Sequence, residues 1–224
     1  MKLMSAAAAT ALVLTDCTAS TARVPLAPAA IAEVNRACAT LAEVDLARLP
    51  RTMPDWTGIE RFHQRARAGV DFPEGEGAAT VLKLAIPGGS IPAPYGISVY
   101  AARQADGSWR ASHVRYLQLP PPPQPPGASS QRPPQQRIVT NGIVRPRVAR
   151  LIDAALASDC LKREPFLSPP ILPMRSGDVQ CPPDGGQDNA LEIIVNGQSR
   201  RYLRQCGRLW ASGAIIVALE APPG

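Results

Sequence analysis

Residues 190–205 read Ala190-Leu-Glu-Ile-Ile-Val-Asn196-Gly197-Gln-Ser-Arg-Arg-Tyr-Leu-Arg-Gln205. Two β-rich runs flank an Asn-Gly pair, the dipeptide that accepts positive φ at both central residues of a type I′ turn. A two-residue loop sets the register, so Glu192 opposes Arg201, Leu191 opposes Tyr202 and Ala190 opposes Leu203. Residues 96–117 predict a second hairpin. Its strands GISVYAARQ and SWRASHVRYL are joined by Ala105-Asp106-Gly107, with Gly107 in the left-handed position of a three-residue turn. Ala79–Ile86 (ATVLKLAI) reads as one further strand.

Helical signals precede each hairpin. In residues 31–49, Ile31, Val34, Cys38 and Leu41 recur at helical spacing, and Pro50 stops the run. Thr57-Gly-Ile-Glu60 fits a capping box, Ile59, Phe62, Ala66 and Val70 continue its apolar face, and Gly69 offers a left-handed stop. Trp56 stands just before that cap. After Pro146, the residues Val148, Leu151, Ile152, Ala155 and Leu156 form a stripe at i, i+3, i+4, i+7 and i+8. Gly213–Glu220 reads equally as a strand or a short helix. The expected fold is therefore α+β, with short helices packed on small antiparallel hairpin sheets, as two disulfide-linked subunits of one compact chain.

Proline marks the division. Of the 25 prolines in 224 residues, eight fall between Pro120 and Pro134, a density that favours an extended polyproline II segment over a sheet interior. The expected organisation is a leader over 1–22, an N-terminal unit over 23–119, a proline-rich linker or loop over 120–137, and a C-terminal unit over 138–224. At 45 % hydrophobic residues the chain is neither a disordered nor a polytopic membrane composition.

The amino terminus carries Lys2 and then an Ala/Leu/Val run, Ser5–Leu14, of signal-peptide length and too short to span a bilayer. Leu14-Thr15-Asp16-Cys17 resembles a bacterial lipoprotein signal, in which a leucine three residues before the cysteine precedes lipidation of that cysteine. Asp16 departs from the small neutral residue of that pattern. The alternative is cleavage after Ser20-Thr21-Ala22, before Arg23. Either reading implies an exported chain, periplasmic or membrane-anchored through Cys17. It also leaves four of the five cysteines, a number suited to two disulfides in an oxidising compartment. Cys181 and Cys206 flank the 190–205 hairpin and are the expected pair, which leaves Cys38 for Cys160. No Cys-x-x-Cys occurs, so neither a redox dithiol nor a zinc ribbon is suggested.

Catalytic signals are sparse. Of the two histidines, His63 on the second helix reads as a helix-edge residue and His113 on a hairpin strand as packed or solvated. Gly88-Gly89-Ser90 supplies half of a nucleophile elbow, but Pro92 and Pro94 forbid the helix that should follow. Phosphate-loop and calcium-loop patterns are missing, and the loop carboxylates Asp71, Glu74 and Glu76 read as solvated, so no metal, cofactor or catalytic residue is expected. The formal charge of +6 divides as +2 over residues 23–119 and +4 over 120–224, without a basic run, so no nucleic-acid partner is expected. One constellation stands out: Arg200, Tyr202 and Arg204 share a strand face that could bind an anionic envelope polymer through guanidinium contacts. The bland alternative is a solvated face, with Arg201 paired to Glu192. The function expected is a non-catalytic binding or structural role in the cell envelope. The alternatives are a secreted hydrolase with an unrecognised site and a secreted inhibitor presenting a loop such as Pro87–Tyr95.

Overall fold

The computed structural model describes residues 27–52, 55–87, 96–118, 135–181, 188–205 and 209–224. Five helices appear among them: α1 (Pro28–Cys38), α2 (Thr57–Arg67), α3 (Pro146–Ala157), α4 (Asp159–Arg163) and α5 (Trp210–Glu220). The strands are β1 (Thr80–Ile86), β2 (Gly96–Arg103), β3 (Trp109–Gln118), β4 (Gln135–Ile143), β5 (Leu167–Ser168), β6 (Ile171–Met174), β7 (Gly177–Gln180), β8 (Asn189–Val195) and β9 (Gln198–Arg204). The fold is mixed α+β.

The small separate hairpin sheets expected from the sequence do not form. Instead β1 pairs with β2 on one side and with β8 on the other, joining both hairpins in one seven-stranded sheet ordered β4-β3-β2-β1-β8-β9-β5. The pairing is antiparallel except for the two-residue contact of β5 with β9, and β6 and β7 form a separate two-stranded sheet. The reason lies in β1. Leu82 and Leu84 are buried on one face and Ala85 on the other, so β1 needs cover on both faces, and its central place lets its backbone groups pair along both edges.

Both hairpins keep their expected turns. Asn196 and Gly197 adopt φ of 49° and 78°, and Glu192, Leu191 and Ala190 pair with Arg201, Tyr202 and Leu203. At the other, Asp106 Oδ1 accepts from Ser108 N at 2.9 Å, and Gln104 N donates to Ser108 O at 2.8 Å to close the three-residue loop.

Helices cover the sheet unequally. On one face α1, α3 and α5 pack over Leu82, Leu84, Val99, Trp109 and Leu191 in the main core. On the other, α2 alone sets Trp56, Phe62 and Ala66 against Ala85, Val114, Ala190 and Leu203. Gly96 permits that approach, because a Cβ there would lie 3.0 Å from the Phe62 ring. Gly213–Glu220 is helical as part of α5, which is buried nearly all round and so lacks the polar stripe that identifies a surface helix.

Several local expectations change. The run over 31–49 is helical only to Cys38 and continues as 3-10 turns over 39–42 and 46–48. The Thr57–Glu60 capping box is not made: Asp55 Oδ1 accepts from Thr57 N at 2.9 Å, and Glu60 bonds Arg201 instead. Residues 135–137, expected at the end of the proline-rich connection, begin β4. The rest of that connection, the leader with Cys17, and most of the Pro87–Tyr95 loop lie outside the described residues.

Cys38 and Cys160 form a disulfide across 122 residues, fastening α1 to α4. Cys181 is also disulfide-bonded. Its expected partner, Cys206, lies outside the described residues.

Candidate functional site

Strand register places one polar row across the face that carries α2. Asn141, Ser112, Tyr100, Lys83, Glu192 and Arg201 are successive neighbours on β4, β3, β2, β1, β8 and β9. Helix α2 adds Glu60, His63 and Arg67 at three- and four-residue intervals, the spacing that puts side chains on one helix face. Lys83 Nζ meets Glu192 Oε2 at 3.1 Å, and Arg201 Nε meets Glu192 Oε1 at 2.9 Å. Ser199 Oγ donates to the same oxygen at 2.7 Å, and Arg201 reaches Glu60 at 2.9 Å while lying over the Trp56 ring. Hydrogen bonds from Ser199, Arg201 and Lys83 hold the Glu192 carboxyl below the ordinary carboxylate range, against the opposing effect of burial, which is the largest single influence on it.

Tyr100 is the centre of the row. The Arg67 guanidinium lies 4.0 Å from its ring centroid, Lys83 Nζ lies at 5.6 Å, and His63 meets it edge-on at 5.5 Å. Arg67 also donates to Ser112 O and Oγ at 3.1 and 2.9 Å. His63 Nδ1 lies 2.9 Å from Ser98 Oγ. Burial first, and then Lys83 and Arg67, lower the His63 pKa to about 4, so its imidazole is neutral at neutral pH.

A histidine bonded to a serine invites comparison with an activated nucleophile, but access decides against it. Ser98 is 0 % exposed in the middle of the sheet beneath α2, so its Oγ meets no incoming carbonyl. His63 belongs to the clamp that seats α2, not to the helix edge where the sequence placed it. His113 lies on the opposite face, 2 % exposed, its pKa also lowered to about 4 by burial and then by Arg115 and Arg67. The two histidines therefore occupy different sides of the sheet and make no joint site.

The proposed anion-binding triad does share a face, but that face turns inward. Arg204 and its partner Glu164 are both 0 % exposed and 3.0 Å apart. Arg204 also donates to Ser212 Oγ and to the carbonyls of Phe166 and Pro165 at 2.7, 3.2 and 2.9 Å, and its guanidinium lies 5.0 Å from the rings of Tyr202 and Trp210. Tyr202 is buried and donates its hydroxyl to Leu161 O at 3.1 Å. Only Arg200 is exposed, donating to Lys162 O at 3.3 Å. Arg204 and Tyr202 are thus core residues with saturated polar atoms, unavailable to a polymer.

Glu164 completes this hub. Its Oε1 accepts from Ala211 N at 2.6 Å, and Ser212 N lies 3.3 Å from both of its oxygens, so one carboxylate caps α5 and neutralises Arg204. Trp210 enters α5 at φ 65°, an unusual value for a bulky residue, held there by complete burial. Cys38, Cys160 and Glu164 bring three metal-type ligand atoms within 4.8 Å, but sulfurs joined to each other are not thiolates and this carboxylate is committed.

A groove of about 300 Å³ runs between α1 and the α3–α4 junction, lined by Ile31, Val34, Asn35, Asp159 and Arg163 beside the disulfide. A pocket of about 10 Å³ lies under His113 and the carboxy-terminal Pro222–Pro223. Neither contains the polar row. The sequence signalled the Glu192–Arg201 step of that row, whereas the Lys83–Glu192 step, which joins its two halves, depends on the pairing of β1 with β8. No helix among the described residues is long and apolar enough to cross a membrane. No protein family, curated protein or solved structure matches the chain.

Proposed function

We propose that this chain is an exported protein of the bacterial cell envelope, lipid-anchored through Cys17, with a non-catalytic binding or structural role. The observation that carries the reading is the Cys38–Cys160 disulfide, joined by a second half-cystine at Cys181. Such bonds persist in oxidising compartments and are rare in reducing ones. They agree with the leader-like Met1–Cys17 segment and with the lipoprotein-type cysteine. A non-catalytic role is supported by the burial of His63, Ser98 and His113. An anionic envelope polymer remains the proposed partner, met by exposed arginines such as Arg200 and not by Arg204.

The runner-up is a secreted hydrolase, favoured by one observation, the 2.9 Å contact of His63 with Ser98. It requires α2 to lift from the sheet before any substrate could enter.

Intact mass of protein extracted from membranes, with and without reduction, tests the proposal. A diacylglyceryl-type addition at Cys17 and a gain of four protons on reduction are expected. An unmodified chain that begins at Met1 and carries five free thiols contradicts it.

A further inference from the structure

The sheet ends on one side at β5, only two residues long, and on the other at β4, which is nine. In the β3–β4 ladder Val144 N donates to Trp109 O at 2.8 Å, so even-numbered residues of β4 bond toward β3 and odd-numbered ones point away from it. Ile143 O, on the outer edge, accepts from Gly224 N at 3.2 Å. The carboxy-terminal residues therefore close that end of the edge. Gly142 makes room for them, since a Cβ there would sit 2.6 Å from Gly224 O. The outer N–H and C=O groups of Arg137, Val139 and Asn141 have no hydrogen-bond partner among the described residues.

Open edges are normally blunted by lysine, proline, a bulge or shortness, and β4 has none of these between Gln135 and Ile143. Its single charge, Arg137, turns aside to donate to Ala68 O at 2.8 Å. Val139 and Ile143 are 44 % and 55 % exposed on the α2 side of this edge.

We infer that β4 is the seam of a homodimer, in which a second copy pairs antiparallel about a two-fold axis at Val139. That register opposes Val139 to itself and Arg137 to the partner's Asn141. It engages the three outward-facing positions, unpaired among the described residues, on each copy in six backbone hydrogen bonds, and it stops where Gly224 already occupies Ile143. The choice of a second copy rests on this symmetry and on charge. No charge opposes a like charge, and the two copies of residue 137 stand about 13 Å apart along the strand, beyond the ~8 Å screening length at physiological salt. The two sheets then run on as one.

Sedimentation equilibrium of the full chain, combined with amide hydrogen exchange, tests the seam. A dimer is expected, with the amides of Arg137, Val139 and Asn141 protected in proportion to dimer content. Val139→Pro removes an outward N–H and leaves the β3 ladder bonded, so it should weaken dimerisation about 30-fold through two lost hydrogen bonds. Val139→Lys, at an exposed position, should do the same by setting two ammonium groups at the axis, and it serves if the proline variant does not fold. A wild-type chain that is monomeric at millimolar concentration overturns the inference, whether its edge amides exchange freely or are shielded by another segment. So does a dimer that both variants leave intact.

Discussion

Arg201 and Arg204 stand three residues apart on β9 and serve opposite faces of one sheet. Arg201 is about one-third exposed and is shared between Glu192 and the half-exposed Glu60, whereas Arg204 and Glu164 are closed to water. The chemistry is the same guanidinium–carboxylate pair, so the difference is solvent. On the Arg201 side water screens the pair and competes for its hydrogen bonds. On the Arg204 side each charge depends wholly on the other, and burial pushes the guanidinium pKa below its ordinary value against the pull of Glu164. The first network positions α2; the second is a point the fold cannot lose.

The comparison breaks most easily at Glu164. Glu164→Ala strands a buried guanidinium and uncaps α5, and should cost about 3–5 kcal/mol in urea unfolding. Replacing Glu164 and Arg204 together by apolar residues of similar size should cost far less, which would show that pairing, not charge itself, is what matters. On the same side, Cys160 Sγ lies 3.3 Å from Glu164 Oε1. The Cys38→Ala, Cys160→Ala double variant should lose about 2–5 kcal/mol, measured by the same unfolding curve against the unreduced wild type.

Acid probes both faces at once, with one histidine on each. His63 and His113 are held neutral in the folded state with pKa values of about 4, against 6.5 when free. The unfolded chain takes up these protons first, so the stabilisation is complete above pH 6.5 and is lost as pH falls through 4. Each shift corresponds to about 3 kcal/mol at neutral pH. Thermal melts of His63→Gln and His113→Gln should therefore be flatter than wild type between pH 6.5 and 4. The smallest effect belongs to the outermost ion pair of the polar row: Glu60→Ala should cost about 0.2–1 kcal/mol, and less in high salt.

Local chemistry was legible in the sequence and long-range pairing was not. Asn196-Gly197 and Ala105-Asp106-Gly107 determine their own turns, so the hairpins and the Glu192–Arg201 step could be read directly. The Cys38–Cys160 bond followed from pairing the other two cysteines first. The union of β1 with β8 spans more than a hundred residues and has no local signal, and with it the Lys83–Glu192 step that completes the polar row was hidden. Arg204 looked like a surface residue because arginine usually is one, and only the arrival of Glu164 from α4's end makes its burial tolerable. β4 was hidden by its polar composition and by the prolines before it.

The account rests on His63 and Ser98 being sealed between α2 and the sheet and not forming a reactive pair, and the His63 imidazole reports that state directly. Its imidazole titration, followed by NMR in the folded protein, should give a pKa near 4, well below the free value, with no response to added ester or peptide substrates. A His63 that titrates at or above 6.5, or that shifts when substrate is added, would mean that Ser98 and His63 reach solvent, and would contradict the non-catalytic reading.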